Sequence, residues 1–366
     1  MPYWALYLQS EHFSPVEIGI LMSIFQISRI FAPNFWGWLA DHTAKRTVWI
    51  RLNTVLGVLG FIAVFWAEGF WSMLLVMGAL SLFTSSTMPL SESLTLAHLA
   101  NTKGHYSRIR MWGSVGFIVA SIFLGYLIDF AGIYSLLWAI LVVQITLFLL
   151  TFTLTEANVA PHHTDHFSVW NILRNPAVVA LLIGCALMVS AHGVLYNFYS
   201  IYLAAHGYSK GMIGWLWSLG VICEIVVFML MPIIMRRFSL KAIILVSLAL
   251  AVIRFAMTGL AVDYLVLLLI AQSLHAATFG SFHAATVEVV AKFFNGRHQA
   301  KGQAIYNSVT YGLGGAIGGI AGGYALQELG GELTFLLAAI FPLIGFAVIA
   351  FGMKLAETHG DAGMFS

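Results

Sequence analysis

Five charged side chains interrupt otherwise apolar runs of the sequence, together with three histidines: Arg29, Glu92, Arg110, Glu224 and Arg254, with His192, His275 and His283. A charged side chain near the centre of a bilayer costs at least about 2.5 to 3.5 kcal/mol on insertion scales. Such residues therefore need partners or a water-filled cavity, where they can bind a polar ligand or carry a proton. The sequence around them has no nucleophile–base pair, metal-ligand spacing or cofactor motif, so the pattern indicates a binding site and not an enzyme.

The composition indicates an integral membrane protein. Of the 366 residues, 60% are hydrophobic and 9% are charged, whereas a soluble domain averages about 25% charged residues. The net charge is only +2, which excludes nucleic acid as a partner. The glycine run at 312–323 lacks the strand and the GK[ST] ending of a phosphate loop, so it predicts close helix packing.

The length of the apolar runs predicts an all-α membrane protein. The run at 1–9 is shorter than the roughly 20 residues that a spanning helix needs, so we expect that most of a first helix is missing from this sequence. About eleven runs are long enough to span: 16–39, 48–67, 70–98, 106–129, 132–153, 176–203, 210–235, 241–260, 264–292, 302–327 and 333–353.

The two halves of the sequence repeat. We predict an N-terminal helix bundle at 1–154, a cytoplasmic connector at 155–175 and a C-terminal bundle at 176–366. A shift of 195 residues aligns Arg29 with Glu224, which predicts that they face each other across the interface of the halves. Repeats of this kind place a substrate site between the halves, near the middle of the bilayer.

Lysine and arginine in the loops predict the orientation. One set of helix ends carries almost all of them, and the other set carries Lys210 alone. By the positive-inside rule the first set is cytoplasmic. We therefore expect a multi-pass protein of the cytoplasmic (inner) membrane. We also expect it to act as a monomer.

Glu92 and Arg110 lie at similar depths on neighbouring antiparallel helices, so we predict an ion pair between them. Ser114 and Phe117 share the helical face of Arg110 and become candidate substrate contacts with the pair. The alternative is an ion pair that only holds two helices together.

Glu224, Arg254 and His275 lie deep in three successive spans of the second half. We predict that Glu224 pairs with Arg254 and can share a proton with His275. A conformational change that separates such a pair favours protonation of the carboxylate, which is a physical basis for proton coupling. For His275 taken alone, a hydrogen-bonded core histidine is the alternative.

Further candidate substrate contacts lie on stripes at helical spacing. His192, Tyr196 and Tyr199 form one stripe, Trp217 shares a face with Glu224, and Asn307 belongs to a polar stripe of a later span. Such stripes serve either packing or a cavity, and hydroxyl and amide groups need partners inside a membrane.

The loop "GWLADHTAKR" at 37–46 resembles the motif between the second and third helices of the major facilitator superfamily. The matching positions are Gly37, Asp41, Lys45 and Arg46. The resemblance implies two pseudo-symmetric six-helix bundles and transport by alternating access. It also implies that the acid of this gating motif caps a neighbouring helix and holds the cytoplasmic side shut.

Within that superfamily the chain is similar to the phenylpropionate permease family and, more remotely, to lactose permease. Glu92 and Arg110 match the sugar-binding acid and arginine of the latter, and Arg254 and His275 match its arginine and histidine of the ninth and tenth helices. The segments that carry the likeness are "PLSESL" (89–94), "YSRIRMWGSVGF" (106–117), "GYSKGMIGWLWSLGVICEIVVF" (207–228) and "SLHAATFGSFH" (273–283).

Three departures from lactose permease bear on the function. Thr278 replaces its proton-carrying glutamate, Phe117 replaces its sugar-stacking tryptophan, and Glu224 lies about one turn later than its eighth-helix acid. Glu224 is then the best remaining proton site, tuned by Arg254 and His275.

These observations predict a secondary active transporter that couples protons to a small organic solute such as an aromatic carboxylate. The substrate would lie between Glu92 and Arg110 on one side and the stripe at 192–199 on the other. A sugar or nucleoside proton symporter and an uncoupled facilitator are the alternatives.

Overall fold

The computed structural model describes residues 2–99, 105–157, 168–358 and 362–365. Within these ranges the chain forms helices and no β-strand, as the all-α prediction requires. The α-helices are α1 Trp4–Ser10, α2 Pro15–Thr43, α3 Arg46–Ala63, α4 Gly69–His98, α5 His105–Ala131, α6 Ser135–Leu150, α7 Trp170–Leu173, α8 Pro176–Ala205, α9 Lys210–Arg237, α10 Leu240–Leu260, α11 Leu265–Ser273, α12 Phe282–Phe293, α13 Gln299–Asn307, α14 Gly315–Ala338 and α15 Ile340–Thr358.

Two π-helical segments, Ala276–Ser281 and Ser308–Gly314, join α11 to α12 and α13 to α14. Ten helical stretches within the described residues are long and apolar enough to cross a membrane. The last one, Gln299–Leu355, has 57 residues, or about 85 Å of helix. This length is far more than the roughly 30 Å core of a bilayer. The left-handed φ of 78° at Gly330 divides the stretch into two spans, so the predicted spans are all present.

The sequence repeat has a structural counterpart in two helix starts. Ser14 begins α2 with a capping box, in which its hydroxyl accepts from Glu17 N and the Glu17 carboxylate accepts from Ser14 N. Ser209, which is 195 residues later, begins α9 by accepting from Met212 N. The predicted domain boundaries themselves stay a prediction. Residues 158–167 of the connector lie outside the described residues, and the rest of it holds only the short helix α7.

The two halves meet at the helix ends that carry few positive charges. Gly19 of α2 lies against Gly319 of α14, and the Tyr3 hydroxyl donates to Ser121 O of α5 at 2.7 Å. The Asp129 carboxylate accepts from Lys210 N at 2.9 Å, which caps α9 with a residue of the other half. Backbones approach this closely because glycines carry no side chain at the crossings, as the glycine run predicts.

The opposite ends of the helices lie apart. The six consecutive residues 108–113 of α5 are all exposed, so no face of this stretch is covered. Residues 228–230 and 236–237 of α9 are exposed as well. The space between the halves therefore opens towards the ends that carry the lysines and arginines, which are the ends predicted to be cytoplasmic.

We expect Gly318→Ala to lower the thermal stability of the protein, because a methyl group there would overlap Ser190 O of α8 and force α14 away. A strained core of this kind typically costs about 1–3 kcal/mol. The control is Gly116→Ala, since no atom lies within 4 Å of the position that its methyl group would take. Thermal unfolding in detergent micelles measures both. Equal melting temperatures of the two variants would contradict the packing described here.

Candidate functional site

A cavity of about 510 Å³ lies between the two halves, within the usual range of small-molecule sites. Its wall combines aromatic rings with a few charged and amide side chains. The predicted site residues on this wall are Phe117, Tyr196, Trp217, Glu224, Arg254 and His275.

Aromatic rings from several helices form one side of the cavity. Phe117 of α5, Tyr196 of α8 and Trp217 of α9 line it together with Trp4 and Phe25. The rings of Tyr196 and Trp217 lie 5.9 Å apart, centroid to centroid. A hydrogen bond of 3.0 Å from Trp217 Nε1 to Ser200 Oγ fixes the indole. This arrangement leaves ring faces available to a planar apolar ligand.

Arg254 of α10 is fully buried and is held by neutral acceptors. Its guanidinium has five N–H donors, and four hydrogen bonds account for only four of them. The remaining donor, on Nη2, has no acceptor among the residues that the structure describes and is available to a ligand in the cavity. The four bonds run from Nε to Ala271 O at 3.0 Å, from Nη1 to His192 Nε2 and Thr278 Oγ1 at 3.1 Å each, and from Nη2 to Gln272 Oε1 at 3.1 Å.

His192 holds Arg254 and does not face the cavity. A guanidinium can only donate and a carbonyl can only accept, so His192 Nδ1–H donates to Met188 O at 2.9 Å and its Nε2 accepts from Arg254. The ring is therefore neutral, and both of its nitrogens are used. The Tyr199 side chain is 1% exposed, and its ring makes an edge-to-face contact with the ring of Trp217. The structure corrects the prediction that His192 and Tyr199 touch substrate directly.

Glu224 lies against His275 and not against Arg254. Glu224 Oε2 is 3.4 Å from His275 Nε2, and both side chains are largely buried. Within the described residues no ion pair joins Glu224 to Arg254, so that prediction is wrong. The physical reason is local, because the Glu224 side chain packs over Gly280 in the π-helical segment after His275, where the missing side chain makes room.

Several polar atoms on the wall lack a partner among the described residues. Trp4 Nε1, Ser85 Oγ, Gln272 Nε2 and His275 Nδ1 are buried without a hydrogen bond, and all four residues line the cavity. Buried polar atoms are normally satisfied, so these are the groups that a ligand or water would satisfy. Sequence reasoning missed Gln272 because it followed charges, although the three-residue spacing to His275 places both on one helical face. It missed Trp4 because the apolar run at 1–9 is too short to span a membrane, and no site residue was therefore sought in it.

Glu92 and Arg110 form the predicted ion pair, with Glu92 Oε1 3.4 Å from Arg110 Nε. Their side chains are 36% and 49% exposed, respectively, and neither lines the cavity. Ser114 and Asn307 also lie outside its wall. The structure thus corrects the predicted position of the substrate between this pair and the aromatic stripe, because the pair lies where the halves are apart.

Two residues of the gating motif pair with each other. Arg46 Nη2 donates to Asp41 Oδ1 at 2.7 Å, while Lys45 is exposed and Gly37 has no atom within 4 Å of where a methyl group would lie. The acid that caps a neighbouring helix here is Glu156, contrary to the implied role of Asp41. Its carboxylate accepts from Arg46 N, Thr47 N and Thr47 Oγ1 at 3.0, 2.9 and 2.6 Å, at the start of α3.

The fold and the cavity define a membrane transporter with a substrate-sized space between two helix bundles. Residues 1–337 match the MFS_1 like family. The chain therefore belongs to this family of major facilitator transporters, and it is a multi-pass membrane protein that handles a small molecule.

Sequence relatives align with nearly the whole chain. The chain is 29% identical to a probable 3-phenylpropionic acid transporter of Escherichia coli (strain K12), over 93% of this chain and 90% of the relative. It is 24% identical to a maltose permease of Geobacillus stearothermophilus, over 98% of this chain and 92% of the relative. The crystal structure of the nucleoside transporter NupG superposes with a TM-score of 0.84 at 19% identity, over 96% of this chain and 95% of that one, which shows the fold.

The stability of the protein should depend on pH through Glu156. Burial alone raises the pKa of Glu156, but the hydrogen bonds from Thr47 and Arg46 and the charge of Arg46 outweigh it, so the pKa is lowered. The cap therefore stabilises the fold fully above the ordinary carboxyl pKa of about 4.3. This stability is lost as the pH falls through the lowered pKa that Glu156 has in the folded protein.

Melting temperatures of the wild type and Glu156→Gln at pH 7 and at stepwise lower pH measure this effect. We expect the variant to melt lower at pH 7 and the difference to vanish in acid. Glu328→Gln, at an exposed position of α14, controls for the loss of one carboxylate. A difference that persists unchanged in acid would contradict the capping role.

Proposed function

We propose that the protein is a proton-coupled symporter of a small aromatic carboxylate, and that it acts as a monomer in the cytoplasmic (inner) membrane by alternating access. The observation that carries the proposal is Arg254, a buried cation in an aromatic-lined cavity whose hydrogen-bond partners are all neutral.

The charge of Arg254 favours an anionic substrate. No carboxylate within the described part of the chain lies at ion-pair distance from its guanidinium. A buried charge without a counterion is costly, and a carboxylate bound by the free Nη2 donor would supply the missing charge. The neighbouring Gln272 Nε2, which makes no hydrogen bond within the described ranges, can donate to the second oxygen of the same carboxylate.

The aromatic wall favours a planar apolar body on that carboxylate. Phe117 and Trp217 line the cavity from opposite halves of the molecule, and a benzene ring between them would make offset or edge-to-face contacts. The name of the E. coli relative, a probable 3-phenylpropionic acid transporter, agrees with this combination of ring and acid.

Glu224 is the proposed proton carrier. It lines the same cavity as Arg254 and contacts His275, which can pass or accept a proton. A substrate carboxylate arriving nearby favours the neutral form of Glu224, because two like charges are unfavourable in a site of low dielectric. Binding of the anion and binding of the proton then promote each other.

The asymmetry of the fold supports alternating access. The halves meet through α2 with α14 and through α5 with α9, and they open towards the ends with most lysines and arginines. This arrangement fits an inward-facing state. Rocking of the halves about the cavity would close these ends and open the others.

A nucleoside or sugar is the second candidate substrate. Nucleoside permease NupG of E. coli is a relative at 22% identity over 86% of this chain. Unpartnered donors such as Trp4 Nε1 would suit ligand hydroxyls. The same binding experiment separates the two candidates.

We expect 3-phenylpropionate to raise the melting temperature of the purified protein more than sugars or nucleosides at equal concentration. Arg254→Gln should abolish this shift, because the counter-charge for the carboxylate is gone. Arg254→Lys keeps the charge, so it should reduce the shift in melting temperature less than Arg254→Gln does. Arg236→Gln, at the exposed end of α9, is the matched control and should keep the shift. A larger shift with a nucleoside or a sugar would favour the second candidate.

Glu224→Gln should stop accumulation of the substrate driven by a pH gradient and spare exchange of substrate across the membrane, since the amide cannot release a proton. Uptake and counterflow in proteoliposomes measure the two activities. Glu288→Gln, at an exposed position of α12, should retain both. An uncoupled facilitator would instead tolerate Glu224→Gln in every assay.

A further inference from the structure

Arg29 is a second arginine of the cavity, and the proposed function does not use it. It lies on α2, fourteen residues from either end of Pro15–Thr43, which corresponds to about 21 Å of helix on each side. An arginine side chain cannot reach the membrane surface over that distance. Because Arg29 lines the cavity, its charge faces the substrate space at mid-membrane.

The protein supplies little to balance this charge. Arg29 Nη1 donates to Gln26 Oε1 at 3.2 Å, and no carboxylate within the described residues makes an ion pair with Arg29. Glu224 lines the same cavity, as the sequence alignment of the two halves predicts, but it pairs with His275 instead. Most of the five guanidinium donors of Arg29 therefore have no acceptor in the described part of the chain.

The position of Arg29 is fixed by the contact between the two halves. The Gln26 side chain packs on Gly315, and Ile30 packs on Gly312 in the π-helical segment that leads into α14. Arg29 thus lies beside the closed side of the cavity, on the half opposite to Arg254. A ligand that reached both arginines would connect the two halves.

The charges of the cavity point to a ligand with two negative groups. In the proton-loaded state of the proposed symporter Glu224 is neutral, so Arg29 and Arg254 leave two positive charges in the site. One monocarboxylate balances one of them, and a dianion balances both. A site that closes around its ligand in a low dielectric is most stable when its charges cancel.

We propose that Arg29 binds a second acidic group, and that the preferred substrate is an aromatic dicarboxylate that bridges Arg254 on one half and Arg29 on the other. This inference rests on the proposed function, because it takes Arg254 as the first carboxylate site. The cavity of about 510 Å³ has room for a ring with an acidic group at each end.

A matched pair of ligands tests the inference. 3-Phenylpropionate and 3-(4-carboxyphenyl)propionate share one body and differ by one carboxylate. At pH 7.5, where both acids are ionised, we expect the wild type to bind the diacid about tenfold more tightly or better. Calorimetric titration of the protein in detergent measures both affinities.

Variants then locate the advantage of the diacid. Arg29→Gln should remove it and leave the affinity for 3-phenylpropionate within about twofold. Arg29→Lys should restore part of it, and Arg236→Gln should retain all of it. Melting temperatures without ligand show whether each variant is folded.

The outcomes separate the two proposals. If 3-phenylpropionate binds and the diacid binds no better, the second anion site is wrong and the proposed function stands. If Arg29→Gln weakens both acids equally, Arg29 is not a site for the second carboxylate and the inference fails. If neither acid binds the wild type, the proposed function and this inference fail together.

Discussion

The unbalanced charge of Arg254 is the constraint on which the site depends. A guanidinium that is fully buried in protein, unlike that of Arg29, is tolerated only if nearly all of its donors are bonded, and the protein meets that demand with a ring nitrogen, an amide, a hydroxyl and a backbone carbonyl. Each of these acceptors is neutral. The hydrogen bonds are therefore nearly satisfied while the charge is not, and the proposed preference for an anionic substrate rests on this difference.

The same constraint explains why some residues near the site lie behind its wall. His192 is fixed in one tautomer by Met188 and Arg254, so its contribution is to orient the cation. The π-helical segment after His275 changes the helical register there. Such segments are frequent at functional sites, and this one lets Glu224 lie across Gly280 beside the histidine instead of reaching the arginine.

Sequence reasoning predicted the fold well because spans, glycine runs and loop charges are local properties of the chain. It also found the Glu92–Arg110 pair, since depth along two neighbouring helices can be counted from the sequence. It did not predict that Glu224 and Arg254 have separate partners. Helical counting gives depth and face, but the partners of Glu224 and Arg254 depend on the π-helical register and on helix crossings. Trp4 and Gln272 were missed because an uncharged side chain on a cavity wall looks like any packing residue until the cavity is seen.

The cap on α3 has a mechanical consequence for the tether between the halves. Glu156 stands at the beginning of the connector, and its three bonds fasten that end to the N-terminal half. Arg51 Nη2 donates to Leu154 O, and His98 Nε2 lies 3.0 Å from Thr155 O, so residues 154–156 are held against that half after the last helical turn ends at Thr153. These three residues correspond to about 10 Å of extended chain, so the connector leaves the N-terminal half at the acid that caps α3 and not at the end of the preceding helix.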